Sequence, residues 1–377
     1  MDTGDISIIF IVHLVLWILG FFLLFRISYC KISVHRNIPA LSISIIIPAR
    51  NEEHALPNLL NSLSGQLSRK DEVIVVDDHS EDKTKEVAEN SGVKVLESLP
   101  TPEGWIGKTW ACYQGANMAS GEILVFLDAD TVLEKNGLKN IVETYVEKNG
   151  VLSIQPYHKM RDLYEQLSAF FNIIVMAGIG TFSLLGRRIK PIGLLGPAVI
   201  MKKQYYADSG GHEKVKGEIL DDVAFGAELQ KQGMELNCLG GKSTIAFRMY
   251  PNGLKELING WSKGFAMGAV KTSTPLLILI VLWIAGSIGT ARSLIEAVIA
   301  TNNMQMAISG GLYILYVAQI YWMLVRIGNF KFYTALFYLI PMAFFVVVFA
   351  YSFVRSFIVR SVKWKGREIN LKCKVNK

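Results

Sequence analysis

Apolar positions fall into two regimes along the chain. At its ends they form long, nearly unbroken runs: Ile6 to Phe25, interrupted only by Ser7 and His13, then Leu276 to Val298, Met304 to Val325 and Tyr333 to Val354. Each is close to the length a helix needs to cross a bilayer core of about 30 Å. Between them the runs are short and rich in β-branched residues: Ser42 to Pro48, Glu72 to Asp77, Val93 to Leu96 and Ile123 to Leu127. Amphipathic, helix-like stretches separate these runs, and strands alternating with helices predict an α/β domain around a mostly parallel sheet. The unbroken apolarity of Ile45, Ile46 and Ile47, with Ile43 just before, predicts strands covered on both faces. From Gly253 to Phe265, residues Leu254, Leu257, Ile258, Trp261 and Phe265 recur at helical spacing, with Lys255 and Lys263 elsewhere on the wheel. This predicts an amphipathic helix lying on a membrane surface or against a core.

Charge at the flanks orients the runs. Asp2 and Asp5 precede the first, whereas Arg26, Lys31 and Arg36 follow it, which places the following residues on the cytoplasmic side. An uncleaved anchor fits better than a signal peptide, whose leading segment is basic and whose apolar core is shorter. The tail carries Arg355, Arg360, Lys363, Lys365, Arg367, Lys372, Lys374 and Lys377, which belong on the same side. Three further crossings would leave that tail on the opposite side. Pro341 marks the last run as the candidate re-entrant or interfacial element. The expected division is an anchor over 1–36, a catalytic domain over 37–252, an interfacial helix over 253–270 and a membrane region with a basic tail over 271–377. The expected location is the cell membrane, multi-pass, with the catalytic domain cytoplasmic.

Composition supports a globular domain fused to spans. Of 377 residues, 51% are hydrophobic, too many for an ordinary soluble enzyme, yet 19% are charged, too many for an all-membrane protein. The net charge of +7 is explained by basic residues next to apolar spans and by anionic lipid rather than by nucleic acid. Cys30, Cys112, Cys238 and Cys373 lie far apart with no CxxC, so neither a zinc cluster nor a disulfide framework is indicated.

Candidate chemistry gathers at the ends of the predicted strands. Asp128-Ala129-Asp130 follows Ile123 to Leu127 directly, so its carboxylates emerge at the carboxyl end of a strand, where ligands bind in open α/β sheets. Two acids in a turn are usually only solvated. At this rim they could instead hold Mg²⁺ or Mn²⁺ against the diphosphate of a departing nucleotide. Asp78, in Asp77-Asp78-His79-Ser80, ends the preceding strand at the same rim and could bond a ribose or base edge, or Ser80 could simply cap a helix with Glu81 and Asp82 in its first turn. Pro48 and Glu52 end the first strand, where Glu52 either meets nucleotide or serves its own helix start. Lys108 lies in the glycine-bearing Gly104 to Lys108 loop, a setting for phosphate, though surface lysines are common. No GxxxxGK[ST] is present, which argues against a P-loop kinase. Asp221 and Asp222 open a helix-like segment, either as a general base or as partners of the helix dipole. His212 is a further candidate for metal or phosphate, against the commoner structural role.

Taken in order, Ile45 to Glu52, Val76 to Ser80, Phe126 to Asp130, Asp221-Asp222 and Gly260 to Lys263 resemble the family-two glycosyltransferases of GT-A fold. The resemblance implies an inverting transferase in which Asp78 contacts the nucleotide, Asp130 is the main metal ligand with Asp128 beside it, and Asp222 is the catalytic base. Processive members carry QxxRW. Here Asn259-Gly260-Trp261-Ser262-Lys263 lacks the Gln and the Arg, so a single sugar transfer is expected rather than polymer synthesis, while the resemblance implies Trp261 and Lys263 at the donor. Gln155 to His158, Gly211-His212, Ala246 to Tyr250 and Trp364 to Arg367 resemble the carotenoid-modifying branch of that family. That branch implies UDP-glucose as donor and the terminal carboxylate of a C30 carotenoid as acceptor, with hydroxyl lipids such as ceramide or hopanoids as the alternative. A non-catalytic sugar-nucleotide-binding membrane protein and a nucleotidyltransferase are the rival classes, which transfer activity and released UDP would distinguish.

Overall fold

A computed structural model describes residues 3–31, 41–184, 189–359, 361–364 and 367–370. Asp2, Arg36, Arg360, Lys365, Cys373 and the basic residues Lys372, Lys374 and Lys377 lie outside them. The chain opens with helix α1 (Thr3–Leu23), then β1 (Ile43–Ala49), α2 (Leu56–Leu63), β2 (Glu72–Asp77), α3 (Thr84–Asn90), β3 (Lys94–Glu97) and α4 (Gly107–Met118). There follow β4 (Ile123–Leu127), β5 (Thr131–Leu133), α5 (Gly137–Lys148), β6 (Val151–Gln155), β7 (Tyr157–His158), α6 (Ala169–Gly178), β8 (Ala198–Lys202) and α7 (Lys203–Ser209). The remainder is α8 (Asp221–Lys231), β9 (Leu236–Gly240), β10 (Ile245–Phe247), α9 (Leu254–Ser262), α10 (Phe265–Lys271), α11 (Thr274–Ile299), α12 (Asn303–Ile327), α13 (Phe332–Leu336), α14 (Leu339–Phe353), β11 (Ser361–Trp364) and β12 (Arg367–Asn370).

The main sheet has the order β3-β2-β1-β4-β8-β6-β9. All its pairings are parallel except those of β8, which runs antiparallel to β4 and β6. The expected strand positions hold to within two residues. Both faces are covered, as the isoleucine run requires: Ile45 and Ile47 pack with Leu56, Leu59 and Leu63 of α2, and Ile46 packs on the other side with Ala111, Cys112 and Ala116 of α4. Parallel pairing of β1 with β2 and β4 aligns the ends of these strands, so the turns after Ala49, Asp77 and Leu127 share one rim.

Among the described residues, three helices are long and apolar enough to cross a membrane, Thr274–Ile299, Asn303–Ile327 and Leu339–Val359, with Ile8–Leu23 a shorter apolar helix. Helices α1, α11 and α12 form one bundle. Its one deep amide is satisfied on both sides: Trp283 Nε1 donates to Gln319 Oε1 at 2.8 Å, and Gln319 Nε2 donates to the Trp17 carbonyl at 2.8 Å. A buried amide left unpaired among apolar helices would be costly. Gly20 makes room for this pair, since a Cβ there would lie 2.5 Å from both Gln319 Oε1 and Trp283 Nε1.

The last apolar run departs from a single span. Lys331 N and Thr334 Oγ1 donate to Gln166 Oε1 of the α/β domain at 3.0 and 2.6 Å. The short α13 then carries Tyr338 to the carbonyl of Ser287, at 2.7 Å, midway along the 26-residue α11. At 1.5 Å per residue that point is roughly 20 Å from the start of α11. There the chain bends, and α14 returns along α6, α9 and α10. Phe345 packs on Phe171 and Phe265 with ring centroids 5.1 and 5.7 Å apart, and Ser352 Oγ donates to the Ser262 carbonyl at 2.8 Å. Pro341 sits in the first turn of α14, where its missing N–H costs no helical bond. The bend, and the contact of β11 with α9, put β11 at the same end of the bundle as the α/β domain.

Two local expectations are corrected. The helix after Asp77 begins at Thr84, not at Ser80. Asp82 Oδ1 accepts from Thr84 N at 3.0 Å, while Ser80 Oγ accepts from Asn51 N at 3.0 Å. The stretch Gly253 to Phe265 is also not one helix, because Gly264 at φ +80° separates α9 from α10.

Candidate active site

The site is built where β4, α4 and α8 converge. Lys108, in the first turn of α4, places its Nζ 2.9 Å from Asp128 Oδ1 and 3.5 Å from Asp222 Oδ2. One ammonium thus joins the acid that ends β4 to the acid that opens α8. Burial alone would lower the pKa of Lys108, but Asp128, Asp222 and Asp221 together hold it well above its usual value. Asp222 moves the other way: burial first, and then repulsion from Asp221, push its carboxyl up to about 6 despite Lys108. Lys263, on the hinge between α9 and α10, is lowered to about 8, chiefly by burial and also by Lys108, with Asp221, Asp128 and Asp222 opposing.

Asp222 is seated by glycine. A Cβ on Gly196 would lie 1.9 Å from Asp222 Oδ2, and one on Gly193 would lie 2.5 Å from the backbone of Val223. The Gly193 to Pro197 loop, ahead of β8, is therefore part of the site although it carries no functional side chain. Replacing Gly196 with alanine is expected to displace the Asp222 carboxylate and cut transfer about 100-fold, the scale of a misplacement near 1 Å. Initial rates measured beside a circular-dichroism check on folding would test this, and undiminished transfer would show that Asp222 tolerates the shift.

The other rim residues are held at strand ends. Pro48 lines the same cavity as Lys108, Asp128 and Asp222. Asp78 is buried, its N–H donating to the Ala49 carbonyl at 2.8 Å. Arg50 clamps this corner by donating to the carbonyls of Asp78 and His79 at 2.6 and 2.9 Å. Glu52 serves the start of α2 through its backbone carbonyl, which accepts from Ala55 and Leu56. Asp130 lies near enough to Tyr250 to raise that phenol's pKa, though burial is the larger cause. Tyr250 fits over Gly260, where a Cβ would be 2.0 Å from its ring.

His212 and Trp261 are placed differently from the carboxylates. His212 lines the cavity but is caged by Phe126 and Phe225, its Nδ1 2.9 Å from the Tyr206 hydroxyl. Burial, and then Lys108, push its pKa down to about 3, so the ring is neutral. Trp261 is turned into the core between α6 and α9, stacked on Phe171 at 4.8 Å and donating to Ser168 Oγ at 3.0 Å.

The donor set can be weighed against a divalent metal. Among the described residues no group of three or more His, Cys, Asp or Glu side chains is arranged to hold an ion, so His212 does not complete a preformed cage. Asp128 and Asp130 instead sit partly open in one turn, with Asp128 already matched by a cation, Lys108. That fits Mg²⁺ or Mn²⁺, which binds through one or two carboxylates plus phosphate oxygens and water.

Residues 44–193 match the model of glycosyl transferase family 2. The chain is 37% identical to the 4,4'-diaponeurosporenoate glycosyltransferase of Staphylococcus haemolyticus (strain JCSC1435), over 88% of this chain and 89% of that one. The chain belongs to glycosyl transferase family 2. It is an enzyme of the glycosyltransferase class. The protein of the same name from Staphylococcus aureus (strain USA300) is 33% identical, with 88% of each chain covered. Among solved structures the fold is similar to that of the mannosyltransferase PcManGT from Pyrobaculum calidifontis, in complex with GDP-Man and Mn²⁺. The TM-score is 0.50 at 16% identity, covering 90% of this chain and 95% of that one. The GT-A architecture expected from the sequence, a mostly parallel sheet flanked by apolar helices, is thus the one observed.

Proposed function

We propose that this family-2 enzyme moves glucose from UDP-glucose to the terminal carboxylate of a C30 carotenoid acid, forming a glucosyl ester. The observation that carries the reading is the Lys108 bridge, which sets a donor-side acid, Asp128, and an acceptor-side acid, Asp222, on either side of one cation. The names of the relatives, matched over most of the chain, support the acceptor. Asp78, Pro48 and Glu52 line the nucleotide end, Lys108 faces the diphosphate, and Asp130 with Asp128 would hold Mg²⁺ or Mn²⁺. When bound, that ion supplies charge neutralisation to the departing diphosphate. A carboxylate oxygen of the acceptor attacks the anomeric carbon as its bond to the β-phosphate oxygen breaks, and UDP leaves. Attack from the face opposite the leaving group inverts the centre. No proton need be removed, because an acid of pKa about 4 is already ionised.

A hydroxyl-lipid acceptor is the second reading, favoured by the raised Asp222, which suits a general base. In that case the hydroxyl proton passes to Asp222. The apolar helices would hold the enzyme in the cell membrane. Arg26 and Lys31, just after α1, support a cytoplasmic catalytic domain. Membranes containing the enzyme, given labelled UDP-glucose and Mn²⁺ with a C30 carotenoid acid or with ceramide, are expected to yield labelled glucosyl ester and free UDP with the acid. Product made only from ceramide would replace the ester reading, and no product or UDP from either would remove the transferase reading.

A further inference from the structure

We infer that Ser352 is a positioning residue for the active site, holding open the break between α9 and α10 that carries Lys263 into the acidic cluster. The inference rests on the site proposed above, whichever acceptor that site serves. In an uninterrupted helix the N–H of Ala266 would donate to the carbonyl of Ser262, four residues earlier. Here the hydroxyl of Ser352, from α14, takes both ends of that bond: its Oγ accepts from Ala266 N at 3.1 Å and donates to the Ser262 carbonyl at 2.8 Å. A side chain inserted into the helical ladder is one of the ordinary causes of a sharp kink. Gly264, at φ +80°, supplies the left-handed residue at the break. Ser262, Ala266 and Ser352 are all buried, so without the hydroxyl the two backbone groups would have no water to turn to. The register of α14 is fixed as well. Phe345, Phe349 and Ser352 recur at helical spacing, and the two rings pack on Phe265 with centroids 5.7 and 6.2 Å away.

The break matters because of what it abuts. A Cβ on Gly264 would lie 3.3 Å from Leu220 and 3.4 Å from Ile219, the two residues before Asp221. Lys263 is thus delivered beside the start of α8, where its charge and those of Asp221 and Asp222 act on one another. Its backbone is extended, at φ −70° and ψ 92°, so its direction is not set by the wheel that turns Leu257 and Trp261 into the core. Were Ser352 to lose its hydroxyl, Ala266 and Ser262 would satisfy each other by closing the helix, which returns Lys263 to that wheel and moves it from the acids. The hydroxyl belongs to a helix long and apolar enough to cross a membrane, so the seating of that helix and the geometry of the charged cluster are set together.

The test is a double-mutant cycle in the full-length enzyme in membranes, pairing Ser352→Ala with Lys263→Met. Labelled product would be collected over hours from UDP-glucose, Mn²⁺ and the acceptor that the unmodified enzyme uses, so that slow variants stay measurable. Ser352→Ala is expected to lower kcat/KM about 30-fold, within the range for a group displaced by roughly 1 Å. In the Lys263→Met background the same change is expected to cost less than about twofold, because the residue it acts through is gone. Ser352→Thr, which keeps a hydroxyl, should recover most of the loss. Equal factors in the two backgrounds would overturn the inference and leave Ser352 a general packing role, as would undiminished transfer in Ser352→Ala. Gly264→Ala, which opposes the break through its left-handed backbone, gives the same reading if Ser352→Ala is not retained in the membrane. Failure of the proposed function shows separately, because position is also read without turnover. In Lys263→Cys, labelling of that cysteine by a charged thiol reagent, followed by mass spectrometry, is expected to change several-fold when Ser352→Ala is added. An unchanged rate would overturn the inference even in an enzyme that proves inactive.

Discussion

Asp222→Asn is expected to reduce transfer to a hydroxyl lipid by about 10²–10⁴, the usual range for loss of a general base, while reducing transfer to a carotenoid acid by less than about tenfold. The amide keeps the shape that fits against Gly196 but cannot take a proton. An alcohol must lose its proton as it attacks, whereas a carboxylate has none to lose. A matching pH effect follows from the raised carboxyl. Asp222 accepts a proton only in its ionised form, so kcat/KM for an alcohol should rise as pH increases through about 6 and then level off. For the acid this limb should be absent, since its own ionisation lies about two units lower. Parallel pH–rate profiles for the two acceptors check both statements. An equal loss with both would mean that Asp222 acts mainly by position.

Asp130→Ala should abolish the distinction between acceptors by disabling both, with a loss of about 10³, the scale set by several kcal/mol of charge stabilisation from a metal. The variant removes a carboxylate from the donor end and leaves the Lys108 bridge from Asp128 to Asp222 in place. The defect should therefore appear as loss of Mn²⁺-dependent UDP affinity in calorimetry, with thermal stability retained. If UDP bound with unchanged affinity and metal dependence, the metal would have to sit elsewhere.

The sequence made the sheet legible because each central strand is a short apolar run with no competing helical period. Ile43 to Ala49 could hardly be anything else, and Asp128 followed from the strand before it. The seat of Asp222 was not legible in the same way. Gly193 and Gly196 act by lacking a side chain, and their partners lie far along the chain, so no local pattern marks them. Helix α6 was missed for a related reason. Its ten residues, Ala169–Gly178, are too few to register as a span, yet Phe170 and Phe171 join the catalytic domain to Trp283 and Trp261. The start of α3 was misplaced because Ser80 and Asp82 are both good caps, and the bond of Ser80 to Asn51 came from a distant turn. Lys263 was found through a motif, but its neighbours across the kink could be read only in three dimensions.

The bend at Tyr338 gives the bundle unequal halves. Helices α1, α11 and α12 run past the bend, whereas α13 and α14 stay on the side of Gln166, Phe171 and Ser262, so the bundle is broader toward the sheet than away from it. Set in a bilayer, a bundle of this form would take more room in one leaflet than in the other, and on the proposed reading an apolar acceptor would reach the site from that broader side.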